Sequence, residues 1–295
     1  MRILFIGPNR VGDAVLSTGL LDHLLRHHPN ARITLACGRP AAGVFARMPG
    51  LERLIVLDKR RWRLHWLPLW ASVVRRRWDL VVDLRGSALA WLVPARRRAV
   101  MRGGTGPKIA QLATALRLPD PPAPVAWFAP EDMRRAATLL PAGRPIVALG
   151  PTANWLPKVW PAERFVALFH ALAAGPLPGA QAVVLGGAGP AERALAAPVL
   201  AALPGAIDLC GRLTLAEVAA CLTRARLFVG NDSGLMHLAA AAGTPTLGLF
   251  GPTDATVYAP VGRTAVTVCA ADGATMQAVS LEAALHAATA LLETG

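Results

Sequence analysis

The chain of 295 residues lacks the features of a secreted, metal-bound or membrane-spanning protein. Its four cysteines, Cys37, Cys210, Cys221 and Cys269, show no CxxC spacing and no flanking histidine pattern. They support neither a zinc site nor a disulfide framework, and buried free thiols are expected. No apolar run reaches the roughly 18–20 residues that span a bilayer, although 54% of the chain is hydrophobic. Behind Arg2 stand only Ile3, Leu4, Phe5 and Ile6 before Gly7-Pro8, which reads as a strand and not as a signal peptide. A cytosolic protein is expected. Acidic residues are scarce, 18 against 31 Lys and Arg. The deficit lies in one half. Residues 1–127 carry 21 basic and 7 acidic residues, a net +14, while residues 128–295 carry 10 and 11, a net −1. A basic half joined to a neutral half points to an anionic partner for one of them.

What is present is an alternation of short apolar runs and helical periodicity. Residues 2–7, 32–37, 54–57, 79–84 and 99–102 read as strands, and helices are expected over 14–28, 41–48, 64–77, 87–93 and 109–116. That order means an α/β unit with a parallel sheet. Residues 119–124, with four prolines, read as a linker. The pattern then restarts, with strands over 145–149, 182–186, 206–209, 227–229 and 246–250. Helices are expected over 131–140, 162–173, 191–203, 215–222, 235–242 and 281–292. Thr214 with Glu217 makes a capping box, and Ser280 caps the last helix. Two Rossmann-like domains follow, 1–122 and 123–295, with parallel sheets facing a central cleft. Ligands are expected at the carboxyl ends of the strands. The last helix is a candidate to pack back on the first domain.

Five motifs carry candidate chemistry. Gly7-Pro8-Asn9-Arg10-Val11-Gly12-Asp13 imitates the spacing of a phosphate loop, but a carboxylate stands where that loop needs lysine, which argues against an NTPase. Asp13 reads either as a helix cap or as a general base. Residues 150–161 place Thr152, Asn154 and Lys158 between a strand and a helix, and Lys158 is the only lysine after residue 127. It reads as a phosphate ligand or as a solvated loop lysine. Gly186-Gly187-Ala188-Gly189 lacks dinucleotide-binding spacing and reads as a strand-to-helix turn, with Glu192 in the first helical turn. Gly230–His237, with Asp232, Ser233 and Gly234, is a strand-turn-helix junction suited to an anion, with Ser233 as the cap. His237 reads as a core, capping or ligand histidine. Lastly, Lys59–Trp66, Trp70, 75–78 and 96–98 mix Arg and Trp. Such a mixture suits single-stranded nucleic acid, an anionic membrane surface, or a solvated face over buried Trp. No RNA-binding signature accompanies it, so nucleic acid is not an expected partner.

With these motifs in order, the chain resembles glycosyltransferase family 9, the ADP-heptose:lipopolysaccharide heptosyltransferases. The resemblance rests on the strand–Gly12-Asp13–helix segment, on Lys158-Val159-Trp160-Pro161, and on Asn231-Asp232-Ser233-Gly234 with His237, followed by residues 250–254. It departs from the family at Gly7, where Lys is frequent, and at Trp155. The resemblance implies a GT-B fold and inverting transfer of a heptose from ADP-heptose to a lipid A-linked core acceptor, with no metal and no cofactor. Asp13 would be the base, and Lys158 would assist departure of the diphosphate. Thr152, Asn154, Glu192, Leu213, Thr214, Asp232, Ser233, Gly234 and His237 would hold the donor. Asn9, Arg10, Gly12, Arg60, Arg61 and Arg63 are candidates for the acceptor. The protein would then be cytoplasmic and peripheral on the inner face of the inner membrane. Two alternatives remain: another nucleotide sugar and glycan on the same fold, or a non-catalytic basic protein binding membrane or RNA.

Overall fold

The alternating apolar runs form two parallel sheets in a computed structural model that describes residues 1–58, 61, 64–271 and 273–294. The chain divides into two units, Met1–Trp127 and Phe128–Gly295. The proline stretch belongs with the first. The Val125 N–H donates to Thr18 Oγ1 at 2.8 Å, and a Cβ on Gly19 would lie 2.2 Å from the Pro122 carbonyl oxygen. The packing boundary therefore falls after Trp127 and not after Pro122.

The first unit runs β1 (Arg2–Ile6), α1 (Val11–His27), β2 (Arg32–Gly38), α2 (Arg39–Ala42), β3 (Leu51–Leu57), α3 (Trp66–Val73), β4 (Trp78–Asp83), β5 (Ala95–Val100) and α4 (Lys108–Ala113). Its sheet order is β3-β2-β1-β4-β5, every pairing parallel. Strand β1 is central, and Ile3, Leu4, Phe5 and Ile6 are wholly buried because helices cover both faces of a parallel sheet. The strand order reverses between β1 and β4, so the carboxyl ends of those two strands, Gly7 and Asp83, flank the crevice where such sheets bind ligands.

The second unit runs α5 (Pro130–Leu139), β6 (Ile146–Gly150), α6 (Ala162–Ala174), β7 (Gln181–Val184), α7 (Pro190–Ala202), β8 (Ile207–Asp208), α8 (Leu215–Leu222) and β9 (Leu227–Asn231). It continues with α9 (Gly234–Ala241), β10 (Thr246–Phe250), α10 (Ala255–Tyr258), β11 (Ala265–Cys269) and α11 (Leu281–Thr294). The sheet order is β11-β10-β9-β6-β7-β8, again parallel, with its reversal between β6 and β9. Trp160, Phe165, Leu168 and Leu172 close its core against β6 and α11. Helix α11 packs in this unit, on α6, β10 and β11.

Several elements differ from the sequence reading. The helix expected over 41–48 is only α2 and a 3-10 turn, Gly43–Phe45, because Gly43 weakens an already short segment. Helix α3 is shorter than 64–77, with Pro68 in its first turn and the arginines of 75–77 beyond its end. The segment 87–93 forms a 3-10 turn, Ala88–Trp91. Strand β5 begins at Ala95 and takes Arg96, Arg97 and Arg98 into an edge strand, where exposed charge is tolerated. Strand β11 was not expected at all. Of the cysteines, Cys37, Cys210 and Cys221 are buried and Cys269 is exposed, on that edge strand. Among the described residues no helix is long and apolar enough to cross a membrane.

Candidate functional site

In the second unit the polar residues gather where β6 and β9 end side by side. Gly150 and Gly230 are register partners there, and both must be glycine. A Cβ on either would stand 2.7 Å from the Phe228 ring, so the strands close over Phe228 only without side chains at these positions. The chain leaving β6 then passes through buried Thr152 and a 3-10 turn, Leu156–Lys158. Two contacts fix this loop on β9. The Trp160 N–H donates to Asn231 Oδ1 at 3.0 Å, and Lys158 Nζ donates to Asp232 Oδ2 at 2.5 Å. Trp160 itself is wholly buried, with its Nε1–H on the Val279 carbonyl at 3.0 Å and its ring edge-on to Phe165.

Helix α9 starts directly after this ion pair. Ser233 occupies the N-cap position, as expected, with extended backbone, but its side chain makes no capping bond. Its Oγ is instead buried with no hydrogen-bond partner. The cap expectation is thus corrected: the hydroxyl and the first N–H groups of α9 are left to something other than each other. His237, one turn along, is buried, and its Nδ1 also has no partner. Burial pushes its imidazole down to about 4; Asp232 pulls it up and Lys158 pushes it further down. The ring is neutral at pH 7 and can accept as well as donate. Asn231 Nδ2 and Thr253 Oγ1 are buried and unpartnered too. Four unsatisfied polar atoms in one strand-helix junction and the turn after β10 are uncommon in a folded protein and mark a place built for a polar ligand.

The other donor candidates lie on neighbouring strand ends. Thr152 packs by the end of β7, where a Cβ on Gly186 would meet it at 3.2 Å. Glu192 accepts from the Gly187 N–H at 3.1 Å, so its carboxylate folds back on the turn after β7. Leu213 is half-buried and Thr214 exposed, at the start of α8. The Thr214 hydroxyl is engaged by the capping box, accepting from the Glu217 N–H at 3.3 Å and donating to Glu217 Oε2 at 2.9 Å. Asn154 is exposed in the loop before Lys158. Asp208 is held by Arg193 at 2.6 Å and Arg212 at 2.9 Å, which accounts for its carboxylate without a ligand.

In the first unit the turn after β1 carries Asn9, Arg10, Gly12 and Asp13. Helix α1 starts at Val11, so Asp13 sits in its first turn, half-buried, and is not the cap; Arg10 holds the cap position and makes no side-chain bond. A carboxylate in a first turn is favoured by the helix dipole. Asn9 lies against the end of β2, where a Cβ on Gly38 would come within 2.8 Å of its Oδ1. Arg61 is exposed after β3, and Arg60 and Arg63 lie outside the described residues. The sequence reading missed Arg85, two residues past β4. Its guanidinium stacks at 4.6 Å over Trp66, burial lowers its pKa, and its Nη1 is buried without a partner. Asn231 and Thr253 stand in the motifs that the sequence reading singled out, but that reading gave neither a role in holding the donor. Asn231 had a signal: a polar residue ending an otherwise apolar strand.

The glycosyltransferase family 9 (heptosyltransferase) model matches residues 108–287. Lipopolysaccharide heptosyltransferase 1 of Pseudomonas aeruginosa is 30% identical, over 90% of this chain and 83% of its own length. Lipooligosaccharide heptosyltransferase 2 of Haemophilus influenzae is 26% identical, over 92% and 90%. Among solved structures, a family 9 glycosyl transferase from Veillonella parvula superposes with TM-score 0.84 at 21% identity, over 100% of this chain and 97% of that one. Escherichia coli ADP-heptose heptosyltransferase II superposes with TM-score 0.78 at 23% identity, over 100% and 99%. The fold is theirs, two Rossmann-like units of the GT-B class, and the sequence match spans most of the chain including the β6–β9 junction. This protein belongs to glycosyltransferase family 9, the heptosyltransferases, and is a glycosyltransferase.

Proposed function

We propose that the chain transfers a heptose from ADP-heptose to a lipid A-linked core acceptor, with inversion at the anomeric carbon. The observation that carries the reading is the β6–β9 junction. There the turn from β9 into α9 brings together Lys158, held on Asp232, a neutral His237, the first N–H groups of α9 and an unpartnered Ser233 hydroxyl. This arrangement suits a diphosphate, which takes N–H donors, a point positive charge and a helix N-terminus together. The names of the relatives support heptose as the sugar, and Escherichia coli heptosyltransferase has been solved with ADP and with ADP-2-deoxy-2-fluoro heptose.

In this reading the second unit binds the donor through Lys158, Asp232, Ser233, Gly234 and His237, with Thr152, Asn154, Glu192, Leu213 and the backbone of Thr214 around the nucleoside. The first unit binds the acceptor near Asn9, Arg10 and Gly12. Asp13 takes the proton from an acceptor hydroxyl, and that oxygen forms the new bond to the anomeric carbon from the face opposite the leaving group. The bond to the β-phosphate oxygen breaks, and its electron pair leaves with ADP. Lys158 and the α9 N–H groups stabilise the charge that gathers there. Because the acceptor is lipid-linked, the reaction belongs at the cytoplasmic face of the inner membrane.

Asp13→Ala tests the assignment of the base. It is expected to lower transfer by about 10²–10⁴-fold while ADP affinity stays within about twofold. Wild-type turnover by purified Asp13→Ala would remove Asp13 from the mechanism.

A further inference from the structure

The outer side of α3 breaks the rule for a surface helix. Its eight residues, WLPLWASV, include no charge. Leu69 and Val73 are buried, while Leu67 is 60% exposed and Trp70 is 40% exposed, with Pro68 and Ala71 exposed beside them. A helix lying on a sheet normally turns polar residues outward. The next connection repeats the anomaly: Trp91 is 64% exposed and Leu92 is 60% exposed.

These two features form one patch. The Trp70 Nε1–H donates to the Leu92 carbonyl at 3.0 Å, which ties α3 to the 88–92 turn. Arg98 fastens the same turn from the other side, donating to the carbonyls of Ala90 at 2.8 Å, Val93 at 3.0 Å and Ala95 at 3.2 Å. Its guanidinium also lies 5.5 Å from the Trp91 ring centroid. The turn that presents Trp91 and Leu92 is therefore held in place before any partner arrives.

The rim of the patch is cationic. Arg75 and Arg77 follow α3, and Arg96 follows the turn; all three are exposed, and among the described residues none pairs with a carboxylate. Trp78 and Ala95 are register partners at the start of β4 and β5. The arginines just before β4 and the Leu92–Pro94 segment just before β5 thus share the amino end of the sheet. Asp13 lies at the other end, after β1.

We infer that this face is a membrane-docking platform. It seats Leu67, Trp70, Trp91 and Leu92 among the headgroups of an anionic bilayer, with Arg75, Arg77 and Arg96 on lipid phosphates. Indole rings beside aliphatic side chains are the composition of an interfacial anchor, and unpaired arginines around them match an anionic lipid surface. Nucleic acid fits less well. Two leucines and a proline offer nothing to a base, and Arg98 already covers one face of Trp91. Helix α3 returns from the carboxyl end of β3 to the amino end of β4, so the face runs along the side of the unit towards the end that carries Asp13, where a lipid-linked acceptor would be met. The inference deepens the reading of a lipid-linked acceptor and rests on that reading for its purpose.

The test needs neither donor nor acceptor sugar, so its failure and the failure of the transferase reading are distinguishable. The purified full chain is sedimented with vesicles of phosphatidylglycerol and phosphatidylethanolamine, and with vesicles of phosphatidylcholine alone. Wild type is expected to bind the anionic vesicles at least tenfold more tightly, and brominated acyl chains are expected to quench its tryptophan emission. Trp91→Ser/Leu92→Ser is expected to lose binding about tenfold or more while keeping its melting temperature and its transfer to a detergent-dispersed acceptor. Arg75→Gln/Arg96→Gln is expected to weaken binding and flatten its salt dependence. Equal binding to both vesicle types, no binding, or unchanged binding by both variants would overturn the platform. So would a wild-type dimer that Trp91→Ser/Leu92→Ser converts to monomer, since a second copy would then cover the face.

Discussion

At the scale of single residues, Lys158 and Asp232 hold each other at 2.5 Å with both side chains largely out of water. An ammonium has three donors and this contact uses one, so a diphosphate can share Lys158 without breaking the pair. Lys158→Ala removes the charge and leaves the Asp232 carboxylate facing the donor's own negative charge. ADP affinity is expected to fall by about 10–100-fold, measured by calorimetry, since a hydrogen bond to a charged group contributes about 1.5–3 kcal/mol. His237 gives a pH prediction. Its pKa is about 4 in the folded chain, against 6.5 as its ordinary value. Between those values the unfolded chain binds the extra proton, so stability falls as pH drops from about 6.5 towards 4, by about 3 kcal/mol at most. Urea titrations across that window would show the slope, and His237→Gln is expected to flatten it. Asp232, Ser233 and His237 were legible in the sequence because they stand within one strand-turn-helix octet, and Lys158 because it is the only lysine after residue 127. The inward turn of the Ser233 hydroxyl was not legible, since rotamer and burial depend on what packs from β10 and the Lys158 loop.

At the scale of elements, the junction depends on close approach and on caps. Gly230→Ala would bring a methyl group to 2.7 Å from the Phe228 ring and 3.1 Å from the Gly150 carbonyl oxygen. A loss of about 1–3 kcal/mol is expected from chemical denaturation. Thr214 separates a structural role from a binding one. Its hydroxyl is already engaged with Glu217. Thr214→Ala is expected to lower stability by about 1 kcal/mol, with ADP affinity changed less than twofold, and Thr214→Asn to restore the stability. Strands β1, β4, β6, β9 and β10 were legible because central parallel strands are continuous apolar runs. Strand β11 was not: it pairs only with β10, buries only Val268, and carries no such run. Strand β5 was partly hidden by its arginines, which an edge strand tolerates and a central strand does not. Helix α3 was readable as helix from its periodicity, but which of its apolar residues would face outward was set by the sheet beneath it.

At the scale of the molecule, the charge asymmetry and the two sheets tell the same story. The first unit carries the excess of Lys and Arg, and the second carries the unsatisfied polar junction. The second unit has its own core from β6 to α11. Residues 128–295 are therefore expected to fold alone and to bind ADP within about threefold of the full chain, without transferring sugar. Loss of ADP binding in that fragment would place essential donor contacts in the first unit.

The most direct test is a transfer assay with the full chain, a heptose-deficient lipid A–core acceptor, and ADP-heptose offered beside uridine and guanosine diphosphate sugars. The account predicts ADP release and an acceptor heavier by one heptose, linked with inverted anomeric configuration. Preference for a uridine or guanosine donor, or retention of configuration, would contradict it.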